Sequence, residues 1–153
     1  MSEGNELSVT RLIDSPVDRV WTIITERLTE WWCPKPWTTE IVAMDWRAGG
    51  RSAMVMHGPN GERHEMEGVF LEVVRGQHFI TTDAFAVGWV PQTPFMTGLW
   101  EFAEEDGKTR YTARARHWTQ EARDEHEAMG FTDGWSACAA QLAEIAEREA
   151  AAR

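Results

Sequence analysis

Two consecutive segments, MTGLWEFAEE (96–105) and KTRYTARARHW (108–118), decide the fold because both alternate apolar and polar residues and they meet at Asp106-Gly107. Such alternation indicates strands, and Asp-Gly between two of them is a strong β-hairpin signal. The arginines of the second segment should face water, which turns Tyr111 and His117 toward the interior. The two segments therefore predict two antiparallel strands with one solvent-exposed face and one buried face.

The alternating pattern extends over most of the chain before this hairpin. Gly58-Pro59-Asn60-Gly61 and Arg75-Gly76 provide further turn signals between apolar segments. The segment 86–94 contains glycine, prolines and polar residues, so it predicts a loop. The other predicted strands are 6–13, 38–46, 51–57, 63–74 and 77–85.

Helical spacing replaces the alternation in two places. Ser15 is a suitable N-cap for a first helix, which should end before Pro34 because the residue before a proline avoids the helical region. A single long helix is predicted from near Thr119, a second suitable cap, almost to the C-terminus, and Gly130 or Gly134 could kink it. The apolar stripes are Val17, Val20, Trp21, Ile24 and Leu28 in the first helix, and Phe131, Trp135, Cys138, Leu142 and Ile145 in the last.

The order of these elements predicts an α+β fold of one domain. A curved antiparallel sheet of about six to seven strands should wrap around the long C-terminal helix, with two short helices after the first strand. The domain spans residues 1–153, with a core at about 7–146 and with the polar N-terminus and the Ala/Glu/Arg tail outside it. A bent sheet and a straight helix do not fit flush, so an apolar cavity is expected between them.

Composition excludes several classes of function. A net charge of −10 argues against binding to nucleic acid or to an anionic membrane, which basic patches attract. No apolar run approaches the length of a spanning helix, and the N-terminus is unlike a signal peptide. The two cysteines form no CxxC motif. We therefore expect a cytoplasmic protein with neither a nucleic-acid nor a membrane partner.

The inward-facing residues suit a ligand site, because nine tryptophans need partners for their indole N–H groups and methionines fill irregular space. Trp31 and Trp32 are about 100° apart on a helix, so we expect one to pack inward and the other to face the cavity mouth or solvent. Cys33 is expected to be a structural thiol. The residues expected to line the cavity are Trp31, Trp32, Met54, Met56, Met66, Phe70, Trp100, Tyr111, His117, Met129, Phe131 and Trp135.

Catalytic and metal signatures are weak. His57 and His64 flank the turn at 58–61 and could face each other, but two imidazoles make a poor metal site without a third ligand. Asp45 and Asp83 are modest candidates for acid–base work. The sequence contains no phosphate loop, nucleophile elbow or zinc signature. We therefore assign no catalytic residue, no metal and no cofactor.

Six motifs follow one another along the chain: SPVDRVW (15–21), EWW (30–32), GGR (49–51), PNGE (59–62), GVFLEVV (68–74), and HEAMGF (126–131) with Gly134-Trp135. Together they resemble the START-like (SRPBCC) superfamily, in particular the branch related to activators of the 90-kDa heat-shock-protein ATPase. The resemblance covers roughly residues 7–146. It implies the helix-grip fold and a ligand cavity, and it implies less about function because the superfamily includes carriers, cyclases, hydroxylase subunits and co-chaperones.

Three functions remain open at this stage. The first is a carrier, sensor or stress-related protein that binds a small hydrophobic or aromatic molecule in the cavity. The second is a cyclase- or aromatase-like enzyme that uses the same cavity, for which His117 is the inward titratable group that the pattern offers. The third is an interaction module, but the activators resembled carry an N-terminal chaperone-binding domain for which this chain has no residues, which argues against a chaperone contact. A homodimer through an apolar sheet edge is compatible with the sequence.

Overall fold

Residues 5–151 are described by the computed structural model, which contains nine strands and four helices in this part of the chain. The strands are β1 (Glu6–Ile13), β2 (Thr38–Met44), β3 (Arg51–His57), β4 (Arg63–Val74), β5 (His78–Thr82), β6 (Phe85–Ala86), β7 (Val90–Pro91), β8 (Met96–Glu105) and β9 (Lys108–His117). The helices are α1 (Val17–Glu26), α2 (Leu28–Trp31), α3 (Gln120–Ala128) and α4 (Phe131–Ala151).

Seven of the strands form one antiparallel sheet in the order β1-β9-β8-β5-β4-β3-β2. The predicted hairpin forms the second and third strands of this sheet, and β8 and β9 pair along their whole lengths, from Met96 opposite His117 to Glu105 opposite Lys108. The predicted α+β architecture, with two short helices after the first strand, is confirmed. The segment 86–94 is not a plain loop, because Val90–Pro91 returns to pair with Phe85–Ala86 as a second, two-stranded sheet.

The helix starts follow the expected signals in one case and differ in the other. Thr119 caps α3, since its hydroxyl oxygen accepts a hydrogen bond from the backbone N–H of Ala122 at 3.0 Å. Ser15 does not cap α1: the N-cap is Pro16, and the Ser15 hydroxyl has no hydrogen-bond partner among residues 5–151. The Ser15 side chain is buried, and its backbone carbonyl instead accepts from the Thr109 hydroxyl at 2.8 Å.

The prediction of a single C-terminal helix from Thr119 is wrong. The chain leaves the helical path at Gly130, whose φ of +95° lies in the left-handed region that glycine adopts without a Cβ penalty. This separates α3 from α4 and lets the two helices take different directions. Gly134 does not kink the chain but stays inside α4, where it faces Pro34.

The core lies between α4 and the concave face of the sheet. α4 packs against β1, α1 and α2, and its buried stripe runs from Phe131 through Trp135 and Leu142 to Ala146. The opposite face of β9 carries arginines in ion pairs with acids of β1 and β8, such as Arg114 with Glu101 at 2.7 Å. None of the helices within residues 5–151 combines the length and apolar character that crossing a membrane requires.

The two glycines near the start of α4 should respond oppositely to alanine. Gly130→Ala places a Cβ on a left-handed residue and should lower the free energy of unfolding by about 1–2 kcal/mol. Gly134→Ala adds a good helix former whose Cβ makes ordinary contact with Pro34 at 3.6 Å, and should raise it by up to about 1 kcal/mol. Urea unfolding measures both changes, and equal effects of the two variants would contradict the break at residue 130.

Candidate functional site

An aromatic cluster occupies the space between the sheet and α4. Trp100 of β8 is stacked between Phe79 of β5, with ring centroids 4.9 Å apart, and Trp135 of α4, at 5.3 Å. Trp32 closes the group with edge contacts to Trp135 at 5.5 Å and to Trp100 at 6.1 Å. All four side chains are buried. The cavity expected here is therefore filled by side chains in the described structure.

The tryptophan pair differs from the sequence-based expectation, since both indoles are buried. α2 ends at Trp31, and Trp32 has extended backbone angles, φ −103° and ψ 132°. The 100° helical offset therefore does not apply to the second residue, and both rings turn inward. Trp31 packs edge-on against Trp32 at 5.5 Å and against Tyr111 at 6.5 Å, and its indole N–H points to the Ile24 carbonyl at 3.4 Å.

Two indole donors of the cluster have no acceptor. The Nε1 atoms of Trp32 and Trp100 are buried and have no hydrogen-bond partner among residues 5–151. The Tyr111 hydroxyl lies beside the Trp100 indole without the geometry of a hydrogen bond, and burial holds the pKa of Tyr111 well above its usual value. A buried N–H without an acceptor costs about 1–3 kcal/mol. The site therefore contains donors that a bound acceptor would satisfy.

The two cysteines lie in the same part of the core as buried, free thiols. The Thr39 hydroxyl lies 3.4 Å from the Cys33 sulfur and 2.6 Å from the Trp32 carbonyl oxygen, to which it donates. Burial, and then the neighbouring Cys33, raises the pKa of Cys138. A thiol that resists ionisation is a poor nucleophile, which agrees with a structural role for Cys138.

The methionines predicted for the lining lie on the same face of the sheet, beyond the aromatic cluster. Met54 of β3 pairs with Met66 of β4, and Met56 pairs with Thr39 of β2. All three methionines are half-buried. Because Thr39 donates to the Trp32 carbonyl, this methionine face joins the aromatic cluster at Trp32. It is a half-buried part of the concave face.

The remaining predicted lining residues divide into two groups. Phe70 packs on Trp46 at 4.8 Å, and Phe131 packs on Trp135 at 4.5 Å. Met129 does not join them, since 68% of its side chain is exposed. It precedes the left-handed Gly130, where the chain leaves α3, and its helical spacing from Phe131 and Trp135 is therefore lost.

Two histidines from different elements contact each other at one end of the cluster. The Nε2 atom of His117 in β9 is 2.9 Å from the Nδ1 atom of His126 in α3, and His117 Nδ1 is 2.7 Å from the Asn5 backbone oxygen. Phe95 packs against both rings, and Trp135 lies 6.0 Å from His126. Burial, and then the neighbouring His117, lowers the pKa of His126 to about 4. His117 was expected to face inward, whereas His126 could not be assigned to a face from the sequence.

Asp83 supports the chain beside these histidines. Its carboxylate accepts hydrogen bonds from the backbone N–H groups of Phe95, at 2.8 Å, and Met96, at 3.2 Å. Burial raises the pKa of Asp83, and the backbone donors and His117 oppose that shift. The Asp83 carboxylate thus anchors the segment that enters β8 and carries Phe95. The other modest candidate, Asp45, pairs at 2.6 Å with Arg47 on the surface.

Within residues 5–151, no three His, Cys, Asp or Glu side chains lie close enough together to hold a metal ion. His57 and His64 do not face each other, since His57 pairs with Arg63 and His64 pairs with Met56. Two shallow clefts, of about 280 and 290 Å³, lie beside α1 rather than between the sheet and α4. The first is lined by Trp21 and Arg75 among others, and the second by Arg27 and Glu149 among others.

Comparison with models of protein families shows to which family the chain belongs. The family model described as "Activator of Hsp90 ATPase homolog 1-like protein" matches residues 14–147. The chain belongs to this family. No curated protein matches it significantly.

Solved structures agree with this assignment. An X-ray structure of a protein from Nitrosomonas europaea is 36% identical, covers 99% of both chains and superposes with a TM-score of 0.91. A crystal structure from Mycobacterium smegmatis is 27% identical, with coverages of 95% and 92% and a TM-score of 0.79. The AHSA1 protein of Silicibacter pomeroyi, at 18% identity, 94% and 99% coverage and a TM-score of 0.71, shares the fold. Their descriptions give no ligand or reaction for any of the three.

The packing of Trp100 can be tested through Gly98, which precedes it on the same face of β8. A Cβ at position 98 would lie 2.5 Å from the Trp100 ring, and that ring cannot move cheaply because it is stacked between Phe79 and Trp135. Gly98→Ala should lower the free energy of unfolding by about 1–3 kcal/mol and change the near-ultraviolet circular dichroism. Thr97→Ala on the other face removes one hydroxyl contact, of 3.1 Å to Thr82, and should cost about 1 kcal/mol without changing that spectrum.

The lowered pKa of His126 predicts a loss of stability in mild acid. The unfolded state binds a proton below the ordinary pKa of about 6.5, whereas the folded state does so below about 4. The free energy of unfolding should therefore fall as the pH drops from 7 to 4 and should level off below that. The loss at pH 5 should be on the order of 1 kcal/mol, which allows for residual contact with solvent.

Urea unfolding at pH 7.5 and pH 5 of the wild type and of His126→Gln checks this sign. The variant keeps Asp83 and His117, so the difference between the two pH profiles reports His126 together with its coupling to His117. A His126→Gln profile parallel to that of the wild type would contradict the assignment.

Proposed function

We propose that the protein binds a small hydrophobic or aromatic molecule between the sheet and α4, and that this molecule supplies a hydrogen-bond acceptor. The observation that supports the proposal is the pair of buried indole donors, Trp32 Nε1 and Trp100 Nε1, without an acceptor among residues 5–151. A ligand-free core gains nothing from such donors. A carbonyl or ether oxygen placed against them removes the cost of leaving them unpaired.

The chemistry of the surrounding residues favours an apolar, flat molecule. Aromatic rings bind one another by offset stacking or edge contacts at centroid distances of 4.5–7 Å, and the cluster offers rings in both orientations. A ring inserted beside Trp100 would replace contacts that Trp135 now makes. The ring contacts that the ligand makes are of the same kind as those lost when Trp135 moves away from Trp100. The free energy of separating the two tryptophans is therefore offset by the free energy of ligand binding.

The methionine face supports an approach to this site from solvent. Met54, Met56 and Met66 are half-buried on the concave face, and they reach the cluster through Thr39 and Trp32. Unbranched thioether side chains rearrange at low cost, which suits a surface that must admit ligands of irregular shape. A carrier or a sensor needs this site and no reacting group, and we propose a role of that kind.

A matched pair of ligands tests the proposal. 2-Acetylnaphthalene carries a carbonyl oxygen, and 2-isopropenylnaphthalene has nearly the same shape without an acceptor. The ketone should quench tryptophan fluorescence, raise Tm and bind about ten-fold more tightly than the hydrocarbon, because one satisfied donor contributes about 1–1.5 kcal/mol. Trp100→Phe, which keeps a ring but removes the N–H, should reduce this preference.

Trp118→Phe is the matched control, because Trp118 is half-exposed, with 52% of its side chain accessible, and lies outside the cluster. It should leave the preference for the ketone unchanged. If neither compound quenches fluorescence or raises Tm, binding at this site is contradicted. If both bind equally in the wild type, the indole donors do not select the ligand.

A further inference from the structure

His117 and His126 form an ordered chain of hydrogen bonds that begins at the backbone. The Asn5 carbonyl oxygen can only accept, so His117 carries its proton on Nδ1, 2.7 Å away. With His117 neutral, its Nε2 atom is an acceptor, and the atom that donates to it is Nδ1 of His126 at 2.9 Å. The lone pair of His126 is therefore left on Nε2. No hydrogen bond within residues 5–151 involves that atom, and it is not among the fully buried polar atoms without a partner, so it keeps contact with solvent.

The surroundings of His126 are apolar and aromatic. Its ring lies 5.0 Å from both Phe95 and Phe131 and 6.0 Å from Trp135, measured between ring centroids. The side chain is 9% exposed. Trp135 connects it to the indole donors, since the same ring stacks on Trp100 and contacts Trp32. Trp135 therefore contacts both the His126 imidazole and the two rings that carry the unpaired donors.

We propose that His126 Nε2 is the second polar anchor of the ligand site, and that it selects aromatic molecules carrying a hydroxyl group, whose O–H donates to it. This rests on the proposed binding function and narrows its ligand class from acceptor-bearing aromatics to hydroxylated ones. The indole N–H groups bind an oxygen of the ligand at one position, and the imidazole binds a hydroxyl hydrogen at another. Neither histidine is assigned to a metal or to a chemical step.

The properties of His126 fit an acceptor better than a base. Its pKa of about 4, lowered by burial and by His117, means that the charged form is disfavoured in this environment. Asp83, a half-buried titratable group near His117, accepts hydrogen bonds from the backbone N–H groups of Phe95 and Met96. A neutral imidazole that resists protonation still accepts a hydrogen bond, but it removes a proton from a hydroxyl group poorly.

The test compares two ketones that differ at one position. 6-Acetyl-2-naphthol offers the hydroxyl hydrogen, whereas 6-acetyl-2-methoxynaphthalene has an ether there. Wild-type protein should bind the naphthol about ten-fold more tightly, measured by tryptophan quenching and calorimetry. His126→Phe should abolish that preference while it leaves the affinity for the ether within about three-fold, and His126→Gln, which retains an acceptor, should restore part of it.

The imidazole nitrogens report the same contact in the wild type without relying on a variant. In the free protein the ¹⁵N resonance of His126 Nε2 should have the position of an unprotonated nitrogen, and it should move upfield with the naphthol but not with the ether. The role of His126 would be overturned if the two ketones bound the wild type equally, or if the Nε2 resonance did not move when the naphthol is added. Either result would leave the proposed binding function standing. Failure of both ketones to bind would contradict both proposals.

Discussion

The stack of Phe79, Trp100 and Trp135 is the contact on which the rest of the domain depends, because it joins the middle of the sheet to α4. Its centroid distances of 4.9 and 5.3 Å leave no room for a side chain on Gly98, so the identity of that glycine follows from the stack. The stack also brings Trp32 into contact with both tryptophans. The path of the chain between α2 and β2 is thereby tied to the core.

The break at Gly130 is the second constraint, and the site depends on it. Because α3 does not continue along the axis of α4, His126 can contact His117 of β9, while Phe131 and Trp135 belong to α4. In a continuous helix, His126 and Trp135 would be nine residues apart, which places them on opposite faces. The left-handed glycine therefore lets the histidine and the tryptophan contact each other, with centroids 6.0 Å apart.

The parts of the structure that follow from local pattern could be predicted from the sequence. The alternation in 96–105 and 108–118, with Asp-Gly between, predicts β8 and β9 to the residue or nearly so, since period and turn chemistry act within a few residues. The helix break could not be predicted in the same way, because one glycine in an apolar stripe is compatible with both a kink and a continuation. The burial of both Trp31 and Trp32 depends on α2 ending between them, which the proline at 34 suggested only approximately.

The polar groups proposed to bind the ligand could not be predicted from the sequence, for a different reason. Contact between His117 and His126 requires the fold, since it depends on where α3 docks on β9. The unpaired donors of Trp32 and Trp100 are still less visible, because a pattern predicts burial but not whether a buried N–H finds an acceptor. An indole N–H that finds no acceptor adds nothing to the stability of the ligand-free core, although the ring that carries it does. Two unpaired indole donors within a single aromatic cluster are a cost to the ligand-free fold, and the binding function proposed above rests on that cost.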